Sequence, residues 1–92
     1  MDVYAQIIES IISHQEAIIG PVAVEQATHI PNLHVAWDSH QIQVHGDPVA
    51  VIDHLVRSYS HLFGQISVEV SKEAAASLMG QLQPGHLPQT LK

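Results

Sequence analysis

The side chains with the most chemical potential in this chain are eight histidines: His14, His29, His34, His40, His45, His54, His61 and His86. Imidazole is the commonest metal ligand and the side chain that titrates near neutrality. A chelating pair on one helix needs a spacing of three or four, and no two of these histidines have it. His54 and His61 share a helical face but lie two turns apart, about 10 Å by the helical rise, too far to hold one ion. His34 and His45 are the pair with a case. If residues 33–45 form a hairpin with Ser39-His40 as its two-residue turn, they face each other across the ribbon. Cross-strand neighbours lie about 5 Å apart at Cβ, so one divalent ion could bridge them, with a third ligand from His29 or from a second copy. The competing reading is that the histidines are solubilising residues in place of Lys and Glu. Protonating all eight would carry the formal charge from −6 to +2. Solubility or association is therefore expected to change between about pH 5 and 7.

Catalytic groupings are scarce. Asp38-Ser39-His40 holds the residue types of a hydrolytic triad, but neighbours in a turn cannot line up as nucleophile, base and orienting acid. Glu25 and Glu69 recur after two similar Gly-containing stretches and would make a paired-carboxylate site only if the two halves faced each other. Near the starts of helices they are more simply outward residues that suit the dipole. The chain has no Gly-rich phosphate loop, nucleophile elbow or paired-His zincin motif. The expectation is a non-enzymatic protein with no cofactor, the alternative being a metal or small-ligand sensor built on the histidines.

Ninety-two residues make one small domain, 46% apolar but only 13% charged. The charged share is about half the usual one. Gln, Ser and His cover part of the deficit, and an apolar interface with a second copy would cover the rest. The three basic residues, Arg57, Lys72 and Lys92, against nine acidic ones are too few to neutralise phosphates, which argues against nucleic acid and anionic membranes as partners. Without cysteine, disulfide and thiolate chemistry are excluded. The N-terminus lacks the basic and apolar regions of a signal peptide, and the longest apolar run is far short of a membrane span, so a cytoplasmic protein is expected.

The elements that must position these residues follow from periodicity. Asp2 can cap a helix over about 3–19, whose stripe is Ile7, Ile8, Ile11, Ile12, Ile18 and Ile19. Gly20-Pro21 either ends that helix or kinks it, since the stripe continues in phase through Val22 and Gln26. Helix resumes to about His29. In 33–45, Leu33, Val35 and Trp37 alternate with polar residues, as do Ile42 and Val44. With the two-residue turn, Val35 faces Val44 and Trp37 faces Ile42. Ser-His is not a favoured turn pair, so a loop of three or four residues is the alternative. Such a ribbon is marginal alone and must pack on the helices or pair with another copy. Trp37, with Val35, Ile42 and Val44, is the candidate interface set.

Gly46-Asp47-Pro48 ends the hairpin and starts a helix that buries Val51, Ile52, Leu55, Val56, Tyr59, Leu62 and Phe63. Asp53, His54, Arg57, Ser58, Ser60 and His61 point outward, with Asp53 and Arg57 as an i, i+4 ion pair. After Gly64, residues 65–70 alternate like a strand but also continue the stripe; helix over about 66–79 is the better fit. Residues 81–92 read as an exposed tail beyond a domain at 1–80. Aligning 3–28 with 47–72 matches Ile8/Ile52, Gly20/Gly64, Val24/Val68 and Glu25/Glu69. The expectation is therefore an α+β fold, mostly helical, of two helix–elbow–helix arms around one hairpin. It is read as an internal repeat or as two unrelated amphipathic arms. The protein is expected to act as a homodimeric interaction, adaptor or regulatory module that binds itself and another protein.

Overall fold

The computed structural model describes residues 2–82, 85 and 87–92. It is mostly helical, with four helices and a two-stranded antiparallel sheet. Helix α1 runs Val3–Ile19. The Asp2 carboxylate accepts from the Ala5 N–H at 2.8 Å, satisfying one of the free donors of the first turn. Its isoleucine stripe is buried at positions 7, 8, 11 and 12.

The chain does not bend through Gly20; it breaks there. Gly20 takes φ +78° and ψ −160°, a region that only glycine occupies at low cost. Its N–H still bonds the Glu16 carbonyl at 2.9 Å, and α2 starts afresh at Val22–Thr28. The second elbow has the same geometry. Gly64 lies at φ +84° and ψ −172°, its N–H on the Ser60 carbonyl at 2.8 Å. Helix α3 (Pro48–Phe63) stops there and α4 (Gln65–Met79) begins, so the stretch 65–70 is helix. Asp47 caps α3 by accepting from the Val49 N–H at 3.0 Å.

Strands β1 (Leu33–Ala36) and β2 (Gln41–Val44) pair with Leu33 opposite Val44 and Val35 opposite Ile42. The expected register is off by two. The reversal uses four residues: a 3₁₀ turn at Trp37–Ser39, and His40 in the left-handed conformation at φ +53°. Ser-His cannot supply two adjacent positive-φ residues at low cost, so the loop lengthens and one position absorbs the reversal. A shift of two preserves which face each side chain takes, so the apolar residues remain together.

The core gathers α1, α3, the alanines of α2 and α4, and the inner face of the ribbon. Small residues on α4 (Ser67, Ser71, Ala74, Ala75) are buried in the layer where α4 lies against α1 and α3. The expected exposed tail is instead partly packed. Pro88 and Leu91 are buried, and a 3₁₀ turn at Gln89–Leu91 lies against α3 and α4. Residues 83, 84 and 86 of that stretch lie outside the described residues. Asp53 is also inward, at 8% exposure, not on the outer face with Arg57. Its carboxylate accepts from the Thr90 N–H at 2.9 Å, the Thr90 hydroxyl at 2.7 Å and the Gln89 N–H at 3.3 Å. No described helix is long and apolar enough to cross a membrane.

Candidate functional site

The two elbows lie side by side. Gln15, three residues before Ile18, donates from its buried amide to the Ser67 carbonyl at 2.8 Å and the Ser71 hydroxyl at 3.1 Å, which ties the end of α1 to the start of α4. Tyr59, three residues before Leu62, donates to the Ala23 carbonyl at 2.6 Å and ties the end of α3 to the start of α2. Burial pushes the pKa of the Tyr59 hydroxyl well above its ordinary value. These two bonds bring both glycines to one end of the molecule.

That end carries the anomaly of the surface. Among the described residues the exposed large hydrophobic side chains are Ile66 (71%), Ile18 (63%), Leu62 (52%) and Val22 (41%). Each stands two positions from an elbow glycine. The stripe reading put Ile18 and Leu62 inside; the backbone breaks before anything covers them. No Asp, Glu, Lys or Arg occurs in 17–24 or in 62–68, so the patch is apolar and uncharged.

A cleft opens beside each half of the patch. One, of about 550 Å³, is lined by Gln26, His54, Arg57, Ser58, His61 and Leu62. The other, of about 420 Å³, is lined by Ser13, His14, Ala17, Ile18, Val70 and Glu73. Arg57, Ser58, His61 and Leu62 stand 44 positions after Ser13, His14, Ala17 and Ile18, and Val70 stands 44 after Gln26. Five of the six positions lining each cleft are thus related by this offset, His54 and Glu73 being the exceptions, and the chemistry differs, the first cleft being basic and the second acidic and apolar. Neither histidine spacing nor motif matching points to them. In the sequence the place is marked only by large apolar residues two positions to either side of each elbow glycine.

The residues singled out from the sequence are elsewhere. His34 lies opposite Gln43, and the His45 N–H bonds the Asn32 carbonyl at 2.8 Å, so the two imidazoles are diagonal and the cross-strand pair is not formed. Among the described residues no group of three or more His, Asp or Glu side chains is placed to share an ion. His86 lies outside the described residues. Ile42 is buried, and Val35, Val44 and Trp37 pack partly buried against the core, where α1 meets β2. The ribbon's apolar side is therefore partly covered within the chain. The Trp37 indole N–H donates to Glu16 Oε1 at 3.4 Å, and its ring lies 4.2 Å from that of His40. His40 Nδ1 is 3.0 Å from Glu9 Oε1, which also accepts from the Ser13 hydroxyl, so the hairpin turn is docked on α1. Glu25 and Glu69 are both exposed, and Glu69 pairs with Lys72 at 3.9 Å. The comparisons with models of known protein families, with characterised proteins and with solved structures gave no match for this chain.

Proposed function

We propose that this chain is a cytoplasmic, non-enzymatic protein–protein interaction module of the adaptor or regulatory kind, acting as a homodimer through its elbow end. The observation that carries the reading is the uncharged apolar patch of Ile18, Val22, Leu62 and Ile66. Large apolar side chains at high exposure cost free energy in water, about 25 cal/mol for each Å² that a partner could cover. A chain with so few charges has little polar surface to offset them. A second copy suits the patch because its own patch brings no ionised group to the centre of the interface.

The matching bonds at Gln15 and Tyr59 and the matching elbows support a finer reading, in which the two arms are copies of one helix–elbow–helix unit. On this reading each arm contributes one exposed residue before its glycine and one after, and the doubled elbow is what makes the patch large enough to bind. The absence of cysteine leaves the fold independent of an oxidising compartment.

Sedimentation velocity tests this directly. The wild-type chain is expected to run as a dimer at tens of micromolar, and Ile18→Ser/Ile66→Ser as a monomer with unchanged helical circular dichroism. A wild-type chain that stays monomeric up to several hundred micromolar rules the reading out.

A further inference from the structure

We infer, resting on the homodimer reading, that the two copies dock in one register: the Arg57 cleft of each copy receives Glu73 from the other. Each cleft shares a residue with the apolar patch, Leu62 in one and Ile18 in the other, so covering the patch carries both clefts into the interface.

The charges at these clefts are free to act between molecules. Arg57 is the chain's one arginine, is exposed and has no ion pair or hydrogen bond among the described residues. Its natural partner one turn earlier, Asp53, is buried and occupied by Gln89 and Thr90. His54 and His61 flank it, and among the described residues no carboxylate lines that cleft. Glu25, next in the chain to Gln26, is outside the lining. In the other cleft Glu73 is the lone acidic side chain among the described residues, exposed and with no ion pair or hydrogen bond among them. Among the described residues no lysine or arginine lines it: Lys72 pairs with Glu69 at 3.9 Å, and the Nδ1 of His14 lies 2.8 Å from the Ser10 carbonyl.

A twofold dimer uses the same patch on both copies, so a contact from one residue to another occurs twice. With two clefts flanking one patch, a twofold axis lying in the face has two simple settings. One puts like cleft against like, Arg57 facing Arg57 and Glu73 facing Glu73. The other puts Arg57 against Glu73 on both sides. Like-charge juxtaposition penalises the first, and complementary charge favours the second. Rim ion pairs add little affinity, so the charges select the register while the apolar patch supplies the binding.

The test is sedimentation equilibrium on the wild type, Arg57→Gln, Arg57→Glu, Glu73→Arg and a 1:1 mixture of the last two. Either charge reversal puts like charges together twice in its own dimer and is expected to weaken association by about tenfold or more. Arg57→Gln should fall between wild type and Arg57→Glu. Mixing the two reversed chains restores both pairs and should recover a heterodimer of near wild-type affinity. If the wild type dimerises but the reversals leave it unchanged, or the mixture fails to recover, the register is wrong and the homodimer reading stands. A monomeric wild type removes both.

Discussion

Gln15 and Tyr59 stand 44 positions apart, and each bonds a backbone carbonyl of the opposite arm. Those carbonyls, of Ser67 and Ala23, are 44 positions apart in turn. One residue reaches from α1 to α4 and the other from α3 to α2. Each accepting carbonyl lies within one turn of an elbow glycine, and each bond offsets the desolvation of a buried polar side chain, that of Gln15 together with its bond to the Ser71 hydroxyl.

Removing the hydroxyl in Tyr59→Phe keeps the ring volume and deletes the bond to Ala23. The expected loss is about 1 kcal/mol near neutral pH. Burial raises the folded-state pKa, so the neutral phenol is the form the fold favours. The stability tied to it is complete below about pH 10, where an unfolded tyrosine ionises, and is lost as pH rises beyond that. Urea denaturation at pH 7 and pH 11 checks both parts. The wild type should lose more stability between the two than Tyr59→Phe does, and equal losses would contradict this account of Tyr59.

The elbow glycines make a separate prediction. A Cβ on Gly20 or Gly64 would meet no atom within 4 Å, so crowding is not what excludes other residues. The constraint is the backbone, held at positive φ with ψ near 180°. Gly20→Ala and Gly64→Ala are each expected to cost about 1–3 kcal/mol. If either proves neutral in thermal denaturation, the chain relaxes into a continuous bent helix there, and the patch geometry would change with it.

The element limits are largely legible in the sequence, for identifiable reasons. The isoleucine stripe and Asp2 mark α1, Gly46-Asp47-Pro48 marks the start of α3, and alternation marks the ribbon. Periodicity says which face a residue takes but not whether anything covers that face. This is how Ile18 and Leu62, in phase with buried neighbours, come to be exposed. The hairpin shows a related gap: alternation survives a two-residue slip, so faces were readable while the partners of His34 and Trp37 were not. Asp53 lay beyond reach altogether, since its partners are 36 and 37 positions away and nothing local to α3 announces them.

That long-range contact yields the third prediction. Asp53 holds the chain terminus to α3 through the Gln89 and Thr90 donors, while Pro88 and Leu91 add apolar burial beside it. Asp53→Ala removes the acceptor for three donors and should cost about 2 kcal/mol, since hydrogen bonds to an ionised group are stronger than neutral ones. Thr90→Val removes one donor and should cost less, about 1 kcal/mol. Amide hydrogen exchange at Gln89 to Leu91 separates this from a general loss of stability. If the contact is a local clasp, exchange there accelerates far more than at the α1 core isoleucines. Uniform acceleration across the fold would mean instead that the terminus opens only when the whole domain unfolds.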